Sequence, residues 1–274
     1  MTQWIRKHPY AAFFILVFGW TWSIVFGLIL AGTDVNQPTP QFIVGGMLCN
    51  ISPSIAAFII TGIIKGKEGI KSLKARFKMK SPVGILIFTL FAVLLVNLMT
   101  KGIAQFTIRT YAFELTVPLL IMGITWPFVS GFGEEFGWRG FILPAFLRKF
   151  RPLTAGVLLG CIWEIWHIPM HYMEFRTYGE YMLPAFAVIG FLNLILQSVI
   201  MTNIFVRSKG NMKLMVLYHA TITGSAIIID GFLKTVKTPR TTVLEGIVSV
   251  VIFLAVATVL YVQTSKEKID FSKV

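Results

Sequence analysis

Residues 10–33 read YAAFFILVFGWTWSIVFGLILAGT and contain no Asp, Glu, Lys or Arg. An α-helix needs about 20 mostly apolar residues to cross the hydrocarbon core of a bilayer, and this segment meets that requirement. The segment is also longer than the apolar core of a secretory signal peptide, which has about 7–15 residues. We therefore predict that it is a retained anchor and that the chain is a membrane protein.

Seven other segments extend this pattern along the chain. Five of them lack every charged residue type: 35–64, 81–100, 115–133, 181–206 and 246–265. Two more, at about 153–173 and 214–231, are apolar but are interrupted by Glu164, His167, His171 and His219. The sequence therefore predicts an all-α, polytopic fold of about eight transmembrane helices. We expect a single membrane domain over residues 1–274, with the polar site inside the helix bundle.

Composition excludes other classes of protein. Hydrophobic residues make up 55% of the 274 and charged residues only 14%, whereas a soluble domain has about 25% charged residues. Two cysteines in apolar segments give neither a disulfide framework nor a zinc site. Eighteen of the 25 Lys and Arg residues fall on the side of the N-terminus and six on the opposite side. This bias predicts a multi-pass protein of the cell membrane with both termini in the cytoplasm, and it requires no nucleic-acid partner.

The densest basic segment is residues 65–80. Ile70, Leu73 and Phe77 recur in it at helical spacing, with basic residues between them. This pattern predicts an interfacial helix that lies on anionic lipid head groups. A solvated loop that follows the positive-inside bias explains the charges equally well, so both interpretations are kept.

The first cluster of ionisable residues lies at the end of the fourth predicted span and reads GEEFGWR at 133–139. Such residues are expensive at bilayer depth and are functional candidates by default. Glu135 and Arg139 are four residues apart, so a helix places them on one face, where they pair. Glu134 points about 100° away and lacks that partner, which suits a general base. The alternative is a purely stabilising Glu–Arg network.

Two further clusters lie on other predicted spans: WEIWHIPMH at 163–171 and HATIT at 219–223. We expect His167 to share a water molecule with Glu134, and His219 and Thr223 to lie on one helical face. A carboxylate, two imidazoles and a hydroxyl are the parts needed for peptide hydrolysis by activated water. A single histidine in a membrane is usually a hydrogen bond between helices, but clusters on three spans favour a common site.

Glycine pairs predict where helices approach each other closely. Gly133 and Gly137 in the fourth span, and Gly156 and Gly160 in the fifth, have small-xxx-small spacing. Such spacing lets helix backbones pack tightly.

Three motifs in order carry a family resemblance. Glu-Glu-x-x-x-Arg is followed by Gly-Phe-Ile-Leu-Pro, then by an aromatic-x-x-x-His with Trp-His-x-Pro, then by a late His. This pattern resembles the CPBP family of intramembrane proteases related to the CAAX prenyl endopeptidase, whose bacterial members are often called Abi proteins. The match covers about residues 120–230, and the N-terminal hundred residues match only as hydrophobic spans. The resemblance implies an eight-helix protease with its catalytic core at 120–230.

The resemblance also implies roles for the site residues. Glu134 and His167 would activate the water, and Glu135 and Arg139 would support them. His219 would help to form the oxyanion site, in which the family usually has an Asn four residues later. This chain has Thr223 there, and a hydroxyl donates one hydrogen bond without the geometry of the amide.

Glu164 is a second departure from the family, in which small or apolar residues are common at that position. It lies three residues before His167, so it either orients that ring or pairs with a neighbouring helix. His167 and His171 have a spacing that lets an unbroken helix present two zinc ligands, but Pro169 between them removes a helical hydrogen bond. We expect water activation that requires no cofactor, with a divalent metal such as zinc as the alternative.

These observations predict an intramembrane endopeptidase that acts on a peptide or lipidated-protein substrate. The alternative is a non-catalytic CPBP-like membrane protein that acts in bacteriocin or peptide immunity or binds a partner. Thr223 in place of Asn is the main support for this alternative. The sequence contains no loop that specifies a side-chain preference, so it does not identify the substrate.

Overall fold

The computed structural model describes residues 2–33, 39–108, 111–113, 116–235 and 238–266. The α-helices are α1 (Thr2–Lys7), α2 (Pro9–Leu30), α3 (Pro40–Ala75), α4 (Val83–Ile108), α5 (Val117–Gly137), α6 (Leu143–Leu147), α7 (Pro152–Phe175), α8 (Met182–Ala185), α9 (Asn193–Arg207), α10 (Met212–Phe232) and α11 (Pro239–Lys266). Short 3₁₀ segments cover Arg76–Lys78 and Gly179–Tyr181, and π-helical segments cover Trp138–Ile142 and Phe186–Leu192. Strands β1 (Tyr111–Phe113) and β2 (Leu233–Thr235) pair antiparallel. The all-α fold is therefore confirmed, with one short ribbon added.

Seven helical segments in the described ranges are long and apolar enough to cross a membrane. They correspond to seven of the eight predicted spans. The eighth, residues 115–133, corresponds to α5, which is not among these seven and ends in the polar sequence that holds Glu134 and Glu135. Helix α5 packs against both α3 and α10, and α7 packs against α9. The glutamate pair at the end of α5 is therefore enclosed by other helices.

The two glycine pairs form close helix contacts, as their spacing predicts. A Cβ atom at Gly137 would lie 2.6 Å from the backbone of Pro53 in α3, and one at Gly133 would lie 2.5 Å from Asn50 O. On α7, a Cβ atom at Gly160 would lie 2.7 Å from Ile195 Cα in α9. These contacts hold α5 to α3 and α7 to α9.

We expect Gly137→Ala to lower the free energy of unfolding by about 1–3 kcal/mol, because the added methyl group meets backbone that must move. The measurement is the midpoint of thermal unfolding in detergent micelles. Gly19→Ala is the matched control, since a Cβ atom at Gly19 in α2 meets nothing within 4 Å. Equal midpoints for the two variants would contradict the close approach.

The basic segment at 65–80 is helical, but its apolar residues face the protein. Helix α3 kinks at Gly66, whose φ of 63° favours glycine, and continues to Ala75. Leu73 is buried beside Gly140, and the Phe77 ring lies 5.2 Å from that of Phe132. Leu73 and Phe77 therefore pack on the protein, and the position of the segment on the lipid head groups stays a prediction. The exposed lysines of the segment are still predicted to contact anionic head groups.

Candidate active site

The first cluster forms an ion pair that is completely buried. Arg139 Nη1 donates to Glu135 Oε1 at 3.0 Å, and both side chains are 0% exposed. His219 on α10 donates from Nδ1 to the same Glu135 oxygen at 2.7 Å. Glu135 therefore joins the end of α5 to α10, in addition to forming the predicted pair with Arg139.

Glu134 faces a different set of partners, as its position on the helix predicts. Its Oε2 accepts a hydrogen bond from Trp163 Nε1 on α7 at 2.8 Å. Its Oε1 lies 3.9 Å from His219 Nε2. The side chain is only 2% exposed in relative terms. The neutral indole N–H of Trp163 thus orients Glu134, whereas Glu135 forms the ion pair with Arg139.

Trp163 contacts Glu134, Arg139 and His167, although the sequence alone predicts no role for it. The Arg139 guanidinium lies 4.3 Å from the centre of the Trp163 ring, close enough for a cation–π contact. The Nε and Nη2 groups of Arg139 have no hydrogen-bond acceptor among the described residues, and the indole face covers them instead. The rings of His167 and His219 lie 5.5 and 5.7 Å away. The signal for this role was the aromatic position four residues before His167 in the motif.

His167 has a defined tautomer. Its Nδ1 lies 2.8 Å from Trp163 O, and since a carbonyl oxygen only accepts, Nδ1 carries the proton. The neutral ring then keeps a lone pair on Nε2. Within the described residues no direct hydrogen bond joins His167 to Glu134, and a water molecule shared by the two stays a prediction.

Thr223 is not drawn into this hydrogen-bond network. It lies one turn after His219 on α10 and is half-buried. Among the described residues its hydroxyl has no hydrogen-bond partner. Its role at the oxyanion site remains a prediction.

Glu164 pairs with His171, which is neither of the two predicted partners. Helix α7 continues past Pro169 to Phe175 without a break. Glu164 and His171 therefore lie on the same helix, and Glu164 Oε1 is 3.0 Å from His171 Nδ1. The predicted contacts of Glu164 with His167 or with a neighbouring helix are replaced by this pair.

The candidate zinc pair uses only one nitrogen of each ring within the protein. The His167 and His171 rings lie nearly parallel, at 18° and 5.4 Å between centroids, and the Nδ1 of each ring is hydrogen-bonded, which leaves Nε2 for a ligand. In the part of the chain that the structure describes, His, Cys, Asp and Glu side chains form no group of three or more that could hold a metal ion. Water activation without a metal ion therefore stays a prediction.

A cavity of about 650 Å³ lies between α2, α3, α5 and α7 and reaches His171, one helical turn beyond His167. Its wall includes Phe42, Trp126 and Met170, together with the polar side chains of Asn50 and His171. Asn50 also packs against Gly133, the residue before Glu134. The volume is within the usual range for a ligand pocket, about 300–1,000 Å³.

A buried glutamate pair, an arginine and two histidines thus lie together on three helices of a polytopic bundle. Comparison with known proteins supports a protease. Residues 112–225 match the family described as type II CAAX prenyl endopeptidase Rce1-like. The chain is also 21% identical over 196 residues to CAAX prenyl protease 2 of Methanococcus maripaludis, covering 64% of this chain and 70% of that protein. The resemblance predicted from the three motifs is therefore confirmed, and the chain is CAAX-protease-like.

Proposed function

We propose that the protein is an intramembrane endopeptidase in which Glu134 and His167 activate a water molecule for attack on a peptide bond. One observation carries this proposal. Trp163 holds both residues at once, because its indole N–H donates to Glu134 and its carbonyl oxygen accepts from His167. Two hydrogen bonds to one residue, Trp163, thus fix both the carboxylate and the imidazole.

The hydrolytic step follows from these two groups. The water molecule donates to Glu134 and to the lone pair of His167 Nε2, and Glu134 takes its proton as the oxygen attacks the carbonyl carbon. The C–N bond then breaks, and the same proton passes from Glu134 to the leaving amine. The products are a carboxylic acid and an amine, and no covalent intermediate with the enzyme is needed.

His219 stabilises the negative charge on the carbonyl oxygen during attack. Its Nδ1–H donates to Glu135, which fixes the ring so that Nε2 is on the side of Glu134. In this role His219 is an imidazolium between the two carboxylates, because only the doubly protonated ring also carries an N–H at Nε2. A donor fixed in this way loses no orientational freedom in the transition state. Arg139 holds Glu135 in place and thereby acts on His219 through it.

Thr223 is proposed as a second donor to that oxygen. We expect Thr223→Val to lower kcat by about 10²-fold with little change in KM, since an oxyanion donor acts only in the transition state. Thr223→Asn is expected to retain activity. Thr221→Val is the matched control, because the Thr221 hydroxyl bonds to Leu217 O on its own helix. Unchanged kcat in Thr223→Val would remove this residue from the site.

The substrate class follows from the family similarity and the cavity. We propose a peptide or a lipidated protein precursor, with a prenylated CAAX sequence as the first to test. The protein would act in the cell membrane with both termini in the cytoplasm and with residues 65–80 on anionic lipids.

The test is cleavage of a farnesylated CAAX peptide by the purified protein in liposomes, read by mass spectrometry. Activity that persists after chelation is expected, since the proposed water activation needs no metal. Loss on chelation with recovery on added zinc would overturn the metal-free mechanism. No cleavage of prenylated or unmodified peptides would overturn the proposed activity.

A further inference from the structure

Glu164 is a buried carboxylate that the proposed hydrolysis does not use. Its side chain is 0% exposed, and its Oε2 has no hydrogen-bond partner. The π-helical segment Phe186–Leu192 is shaped around it, because the Glu164 carboxylate fills the space that a Cβ atom at Gly190 would need. A buried carboxylate is costly unless it is paired. Its partner among the described residues is His171, which therefore indicates what it does.

The Glu164 contact fixes the proton position on His171. A carboxylate oxygen accepts, so Nδ1 of His171 donates to it, and in the neutral form of the ring the lone pair is on Nε2. The ring is also held between two others, with His167 at 5.4 Å and Phe175 at 5.3 Å, both nearly parallel to it. His171 is therefore fixed in tautomer as well as in orientation.

The acceptor nitrogen of His171 is free to meet a ligand. Within the described residues Nε2 makes no hydrogen bond, and it is not among the fully buried polar atoms that lack a partner. Nε2 lies on the side of the ring away from the buried Glu164, and His171 lines the 650 Å³ cavity. An unsatisfied acceptor in a mostly apolar wall calls for an N–H donor.

A peptide supplies such a donor at every residue other than proline, and each N–H that leaves water without a partner is costly. Resting on the proposed function, we propose that His171 Nε2 accepts a hydrogen bond from a main-chain N–H of the bound peptide, with Glu164 as the positioning residue for His171. The site residues would then divide along α7: His167 takes part in the chemistry, and His171, one turn away, aligns the peptide.

The first test measures the tautomer and needs no cleavage. In protein labelled with ¹⁵N-histidine, the His171 signals are identified as those absent from His171→Asn. We expect one protonated nitrogen and one unprotonated nitrogen of the Nδ1–H tautomer in the wild type and in Glu164→Gln, whose amide oxygen still accepts. Glu164→Ala is expected to give a mixture of tautomers. An Nε2–H tautomer in the wild type would overturn the proposal.

The second test measures binding in the Glu134→Gln background, where hydrolysis does not interfere. The probe is a fluorescent, farnesylated peptide that ends in a CAAX sequence. His171→Asn keeps an amide N–H for Glu164 but has no atom at the Nε2 position, and we expect it to weaken binding about 3- to 10-fold, as for one neutral hydrogen bond. Glu164→Ala is expected to weaken binding to a similar degree, and Glu164→Gln to do so less.

The double variant separates positioning from general destabilisation. If Glu164 acts through His171, Glu164→Ala adds no further loss of affinity to His171→Asn. Additive losses, or full affinity in His171→Asn, would overturn the proposal, as would the absence of binding when His171 is intact. A protein that binds the peptide through His171 but does not cleave it would overturn only the proposed enzymatic activity.

Discussion

Glu134→Gln is expected to lower kcat for peptide cleavage by about 10²–10⁴-fold, the usual contribution of a general base. The amide has the size of the carboxylate, and its oxygen still accepts from Trp163 Nε1, but it does not take a proton from water. KM is expected to change little, because the substitution leaves the cavity wall intact. The measurement is the initial rate of cleavage in liposomes at several peptide concentrations.

Glu68→Gln is the matched control for this substitution. Glu68 is an exposed carboxylate on the last part of α3, 3.9 Å from Lys71. It is expected to have wild-type kcat and KM. The thermal unfolding midpoint of Glu134→Gln should also match the wild type within a few degrees, since the hydrogen bond from Trp163 is kept and the contact with His219, at 3.9 Å, is longer than a hydrogen bond. Full activity in Glu134→Gln would exclude Glu134 as the base.

Arg139→Met is expected to lower the free energy of unfolding by about 3–5 kcal/mol, because it leaves the Glu135 carboxylate buried without its cationic partner. The change also removes the cation from the Trp163 ring, so cleavage should be lost as well. The measurement is the unfolding midpoint in detergent micelles, followed by tryptophan fluorescence and by a second, helix-specific signal.

Arg148→Met is the matched control, because it also removes an arginine but breaks no buried ion pair. Arg148 donates to Tyr10 Oη at an exposed position, and exposed polar contacts of this kind contribute only about 0–1 kcal/mol. Its midpoint is expected to stay near that of the wild type. Equal midpoints for Arg139→Met and Arg148→Met would show that the buried pair adds nothing to stability.

Much of the fold follows from local properties of the sequence. The helices occupy all eight predicted segments, because apolar length and the need to satisfy backbone hydrogen bonds in lipid leave no other structure. The Glu135–Arg139 pair follows in the same way from the period of one helix. Gly133, Gly137, Gly156 and Gly160 marked the close contacts, since only a missing Cβ atom allows backbones so near.

Other features depend on which helices meet, which a single sequence does not specify. The hydrogen bond from Trp163 to Glu134 joins α7 to α5, and the contact of His219 with Glu135 joins α10 to α5. The apolar residues of 65–80 have the same spacing whether they face lipid or protein, so only the packed fold decides between the two. Glu164 and His171 are seven residues apart, two turns of α7, and a continuous helix past Pro169 was needed to bring them together.

The tight glycine contacts have a consequence for how the catalytic groups are aligned. Glu134 lies on α5, which packs closely on α3 at Gly133 and Gly137, and His167 lies on α7, which packs closely on α9 at Gly160. The bond between the Trp163 indole and Glu134 joins these two helix pairs. A shift of one pair against the other would therefore change the separation of the proposed base and imidazole. We expect substitutions in the glycine contacts to lower kcat as well as stability for this reason.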